Sequence, residues 1–158
     1  IALAGQGVAF RLALLGKRPS RVPPALARLR EALPERIVAD GQLPADAYRA
    51  LLGKAAIAVS TARHEFQGLA MLEAASAGAR PLVPDALCYP EQYPTACRYP
   101  PGDVGALVSR LRDWLSGGLP PPVDVSPWYA QHLWPVWAEM LANTQTVIAN
   151  PSAPSAPR

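Results

Sequence analysis

Residues 55–84 read Ala55-Ala-Ile-Ala-Val-Ser60, Thr61-Ala-Arg-His-Glu65-Phe-Gln-Gly68, Leu69-Ala-Met-Leu-Glu73-Ala-Ala-Ser-Ala-Gly78, Ala79-Arg80-Pro-Leu-Val-Pro84. The first block and Arg80–Pro84 are short apolar runs of strand length. Between them a polar loop leads into a helical stretch from about Gly68 to Ala77, with Gly78 placed to cap it. Leu69, Leu72, Ala75 and Ser76 form its expected inner stripe. Strand, loop, helix, strand is the repeating unit of a parallel sheet, because parallel neighbours need a long crossover between them.

The same alternation extends in both directions. Upstream, Val8–Leu15 is an apolar run ended by Gly16. Pro23 and Pro24 open a helix to about Leu33. Arg36–Ala39 is a short strand stopped by Asp40-Gly41, and Pro44 opens a helix over Ala45–Lys54. Residues 1–6 read as the end of a helix, and the absence of an initial Met suggests a chain that begins inside a longer protein. Downstream come a Pro- and Tyr-rich loop over 85–96 and a short strand at Cys97–Tyr99. Asp103 is the expected N-cap of a helix to about Leu115. A Gly/Pro-rich linker over 116–126 precedes a last helix, Trp128–Thr146, whose Trp128, Trp134 and Trp137 are expected to pack against this domain or a neighbouring one. The expected organisation is a domain over 1–146 and a disordered tail over 147–158. The fold class is α/β: a Rossmann-like parallel sheet with helices on both faces.

Composition narrows the function. Half of the 158 residues are hydrophobic and 17% are charged, which suits a globular domain. No apolar run is long enough to span a bilayer. Fifteen basic against 12 acidic residues leave a net charge of +3, too little to argue for nucleic-acid binding. The dominance of Arg among the bases reads as coding bias. Cys88 and Cys97 are too few for a metal site, His64 and His132 have no ligand spacing, and a reduced, cytoplasmic setting is expected. No Gly-x-Gly-x-x-Gly follows a strand, and Gly5-Gln-Gly7 precedes one, which argues against a dinucleotide-binding dehydrogenase.

Ligands of parallel α/β sheets bind beyond the carboxyl ends of the strands, which singles out the loop at 60–68. It leads into a helix N-terminus at Gln67 and Gly68, where free N–H groups and the helix dipole favour a diphosphate. Gly68 permits close backbone approach. Glu65 in the loop and Glu73 in the second turn could accept charge-assisted bonds from sugar hydroxyls.

Ile37–Pro84 resembles the C-terminal domain of retaining glycosyltransferases with two Rossmann-like domains, the GT-B fold. Their hallmark is two glutamates separated by seven residues, followed by Ala and a closing Gly; here these are Glu65, Glu73, Ala74 and Gly78. A narrower likeness rests on Ser60–Gly68 and Pro84–Pro94, which resemble the tRNA-queuosine mannosyltransferase family. The resemblance implies transfer of mannose from GDP-mannose to queuosine in the tRNA anticodon, with retention and without a metal or other cofactor. It also implies roles. Glu65 would hold donor-sugar hydroxyls, with Phe66, Gln67 and Gly68 offering backbone N–H groups to sugar and phosphate. Glu73 would take the ribose hydroxyls, and Asp40 and Gly41 would lie beside the base. His64 and Glu65 are the catalytic candidates. Tyr89, Pro90 and Glu91 are family-like without an assigned contact. The family's diphosphate-binding Arg and Lys and its acceptor-binding N-terminal domain would lie upstream, so the isolated chain is expected to be inactive. Two alternatives remain open: a transferase of this fold with another sugar nucleotide and a glycan or lipid acceptor, and a non-catalytic nucleotide-binding remnant.

Overall fold

The computed structural model describes residues 1–17 and 20–149, with side chains through Ala142. The backbone divides into two compact units, Ile1–Val123 and a second beginning at Asp124. The division falls within the stretch read from the sequence as a linker.

The first unit opens with a single helical turn, α1 (Ala2–Gly5), and continues through β1 (Leu12–Leu15), α2 (Pro24–Ala32), β2 (Ile37–Gly41), α3 (Ala45–Leu52) and β3 (Ile57–Val59). It proceeds through α4 (Leu69–Ser76), β4 (Arg80–Pro84), the short α5 (Tyr89–Gln92), β5 (Arg98–Tyr99) and α6 (Val104–Asp113). All strand pairs are parallel. They form a pair, β1–β2, and a triplet ordered β3–β4–β5. This is the expected α/β alternation.

The core lies around β4. Leu82, Val83 and Cys97 are fully buried, and Ala74, Ala79, Tyr89 and Tyr93 nearly so. Pro81 sits in this central strand without breaking it. Arg80 donates its N–H to Ala56 and Leu82 accepts from Ser60, so the missing donor of Pro81 points away from β3. On that other side β5 begins to pair only at Val83. By contrast, α2 and α3 bury none of their residues among the described chain, and all of β1 is only half-buried.

Three sequence expectations shift. β1 starts at Leu12, not Val8, because residues 8–10 are used by a side chain: Arg36 donates to the Val8 carbonyl (2.7 Å) and its guanidinium lies 4.6 Å from the centre of the Phe10 ring. β2 does not stop before Asp40-Gly41. Both residues pair with β1, and Gly41, at φ 110°, accepts a further bond from Gly16. The inner stripe of α4 is also rotated. Met71, Ala74 and Ala75 are buried, whereas Leu69 is 60% exposed and Ser76 faces out. Nearly every position of this helix is apolar or small, so periodicity alone does not set its phase.

Two end-caps follow the sequence closely. Gly78, at φ 100°, closes α4 with paired bonds from Gly78 to Ala75 and from Ala79 to Ala74, the Schellman arrangement. The Asp103 carboxylate accepts from Ala106 N–H at 2.8 Å and starts α6. Gln6, just beyond α1, accepts two bonds from Arg112 of α6. Arg98 pairs with Asp85 and holds β5 against the end of β4.

In the second unit a 3-10 turn, Ser126–Trp128, precedes α7 (Ala130–Ala149). Trp128 therefore lies before the helix. Trp134 and Trp137 are 68% and 54% exposed. Of the tail expected over 147–158, residues 147–149 are helical and 150–158 lie outside the described residues. No helix among the described residues is long and apolar enough to cross a membrane.

Leu82→Ala leaves a cavity in the fully buried centre and is expected to cost about 2–5 kcal/mol of stability, against well under 1 kcal/mol for exposed Val104→Ala, by urea denaturation.

Candidate functional site

The end of β3 is fixed by two phenols. Ser60, the first residue beyond the strand, is buried. Its hydroxyl is 2.8 Å from the Tyr89 hydroxyl, and its carbonyl accepts from the Tyr99 hydroxyl at 2.8 Å. Burial raises both phenol pKa values, so both hydroxyls stay protonated and able to donate. Tyr89 thereby gains the contact that the sequence left unassigned: it anchors the start of the loop.

The far end of the loop is a turn built around Gly68. This residue has φ 65° in the left-handed region and is the N-cap of α4. A Cβ there would stand 2.9 Å from Gln92 Oε1 and 3.0 Å from a Tyr89 ring carbon. Gln92 explains the crowding, since its Nε2 donates to the Gln67 carbonyl at 2.7 Å. Tyr89 and Gln92 of α5 thus brace both ends of the loop from below.

With the turn so held, three backbone N–H groups converge. Those of Phe66 and Gly68 lie 3.0 Å from Glu65 Oε1, and that of Gln67 lies 3.3 Å away. The Gly68 bond is the largest influence holding the Glu65 carboxyl below the usual carboxylate range; desolvation opposes it, and the Phe66 and Gln67 bonds add to it. The expected donors therefore already hold an oxyanion, and it comes from the chain itself. Around them the Phe66 side chain is 95% exposed, and His64 and Gln67 also face solvent.

Glu73 projects from the exposed flank of α4, on the same face as Leu69. Its Oε2 accepts from the Tyr48 hydroxyl of α3 at 2.8 Å. Asp40 and Gly41 are the last two residues of β2 rather than a loop, and Asp40 is committed. Both its oxygens accept from Arg30, at 2.7 and 2.8 Å, in a partly buried fork. The structure thus assembles Glu65 through Gly68 into one turn, joins Glu73 to Tyr48, and joins Asp40 to Arg30. Tyr48, Tyr89, Gln92 and Arg30 were not legible as site residues. The density of Tyr, Pro and Gln in 89–93 was the available signal for two of them.

Beside the loop, Thr61, Ala62 and Arg63 border a surface cavity of about 500 Å³. Pro84, Leu87, Tyr99 and Val104 line its other sides, at the carboxyl ends of β4 and β5. Neither glutamate lines it. No group of three or more potential metal ligands occurs among the described residues.

Comparison with known proteins agrees with the family likeness. A Drosophila melanogaster protein named tRNA-queuosine alpha-mannosyltransferase is 39% identical over 104 residues, which is 66% of this chain and 27% of that protein. The chain is similar to little more than a quarter of the relative's length. No family model matches the chain, and no solved structure does.

Two outcomes test the turn. Gly78→Ala meets no neighbour and carries only backbone strain, about 1 kcal/mol; Gly68→Ala adds the clash with Gln92 and Tyr89 and should cost more, about 1–3 kcal/mol, by thermal denaturation. For Glu65, a depressed folded pKa means the turn's contribution is present above the unfolded value and fades as pH falls through the folded one. Carboxyl NMR should place its midpoint below the ordinary glutamate range, and Glu65→Gln should abolish the acid-dependent loosening of the Phe66–Gly68 amides.

Proposed function

We propose that this chain is the donor-binding, C-terminal part of a retaining GT-B glycosyltransferase of the tRNA-queuosine mannosyltransferase family. The intact enzyme would move mannose from GDP-mannose to queuosine in a tRNA anticodon. The observation that carries this reading is the turn at Glu65–Gly68: three convergent N–H groups at the mouth of a helix that follows a parallel strand. The name of the Drosophila relative supplies the substrate class.

In the proposed complex the donor displaces the Glu65 carboxylate from the backbone. The N–H groups of Phe66, Gln67 and Gly68 then serve the sugar and phosphate oxygens, and Glu65 turns to the sugar hydroxyls. Glu73 takes the ribose hydroxyls. Both glutamates position the donor and neither forms a covalent bond to the sugar, unlike the paired carboxylates of glycoside hydrolases. The acceptor hydroxyl attacks from the side of the leaving diphosphate through an oxocarbenium-like transition state. The turn stabilises charge as it develops on the departing group. His64, exposed beside Glu65, is the remaining candidate for contact with the reacting sugar. Asp40 and Gly41 contribute through the end of β2, and Arg30 holds the Asp40 carboxylate there.

An N-terminal domain would supply the acceptor site and further cations for the diphosphate, which fits the relative being far longer than the matched stretch. The isolated chain is accordingly expected to give no mannosyl transfer in an assay with GDP-mannose and queuosine tRNA. Measurable turnover would remove the need for a second domain.

Calorimetry of the full-length protein with GDP and UDP tests the donor assignment. The expected result is tighter binding of GDP, weakened about tenfold or more by Glu73→Ala, a change equivalent to at least ~1.4 kcal/mol. Tighter UDP binding would redirect the reading to another sugar nucleotide, and no binding by the folded protein would favour a non-catalytic remnant.

A further inference from the structure

We propose that Tyr48 is a positioning residue for Glu73, holding its carboxylate in the orientation that receives the ribose hydroxyls of the donor nucleotide. This rests on the reading of Glu73 given above.

The two residues are 25 positions apart and come from different helices, α3 and α4, and the Tyr48 hydroxyl lies 2.8 Å from Glu73 Oε2. A glutamate on an exposed helix flank samples several rotamers, and freezing them costs side-chain entropy. A bond from a half-buried, rigid ring removes part of that freedom before any ligand arrives. It uses one acceptor direction of the carboxylate and leaves the remaining ones free. A vicinal diol, the 2′- and 3′-hydroxyls of a ribose, presents two donors at a spacing that a single carboxylate can accept.

The phenol suits this role because it stays protonated. Its pKa is pushed up to about 12, by burial first and then by the bond to Glu73 and its charge. Tyr48 is therefore a donor throughout the neutral range and does not take the place of Glu73 as an acceptor for the ribose hydroxyls. Leu51 and Leu52, which share its helical spacing, have no polar atom with which to replace it.

The test is calorimetry of the full-length protein with GDP, UDP and their 2′,3′-dideoxy forms, using wild type, Tyr48→Phe, Glu73→Gln and the double variant. Circular dichroism and thermal melting establish that each variant is folded. Tyr48→Phe keeps the ring and deletes only the donor. It is expected to weaken the preferred ribonucleotide about 3–10-fold, to leave the dideoxy nucleotide unchanged, and to add nothing to Glu73→Gln. Equal weakening of ribo- and dideoxynucleotide would show a merely structural contact and overturn the assignment. So would wild-type affinity of Tyr48→Phe while Glu73→Gln is impaired, with the role of Glu73 intact. Should wild type bind neither GDP nor UDP, the reading of Glu73 fails and the role of Tyr48 fails with it.

Discussion

The site depends on one backbone conformation, the left-handed turn at Gly68. It lets the chain leave the loop and enter α4 with the N–H groups of Phe66, Gln67 and Gly68 pointing to one place. A side chain at that position would be strained by its φ and would also meet Gln92 and Tyr89. The glycine thus answers to two constraints, one local and one tertiary. Its packing neighbours in α5 also hold Ser60 and Gln67, so the loop is fixed at both ends by a four-residue helix.

That bracing bears on chemistry. A turn able to hold a carboxylate oxygen on three amides is organised before any ligand is present, and such preorganisation is the usual source of electrostatic stabilisation in enzymes. Glu65 satisfies those three amides from within the chain. Under the proposed reading, a donor would compete with this internal anion, and its affinity would be the difference between two occupied states.

Much of the architecture was legible from residue order. The apolar runs at 55–60 and 80–84, the cap at Gly78 and the cap at Asp103 are local signals, and the structure forms β3, β4 and both caps within them. What escaped reading was set by contacts between distant residues. Arg36 diverts residues 8–10 from β1, and β1 in turn extends β2 through Asp40 and Gly41. The phase of α4 was illegible because Leu, Ala and Met occupy almost all of its faces. Among the site residues, the Glu65–Gly68 cluster stood out because it is contiguous. Tyr48, Arg30 and Gln92 act across 10 to 25 residues, and nothing in the immediate neighbours of Tyr48 and Arg30 marks them.

The uneven burial of the first unit has a consequence for how the molecule breathes. β4 and its neighbours hold the fully buried side chains, while α2 and α3 bury none and β1 is only half-covered. Amide protons of the β1–β2 pair should therefore exchange with solvent through local opening of that region alone. Those of β4 should exchange only when the whole unit opens. The β1–β2 half, which carries Asp40, is then expected to open first, and the half around β4, which leads to Glu65, last.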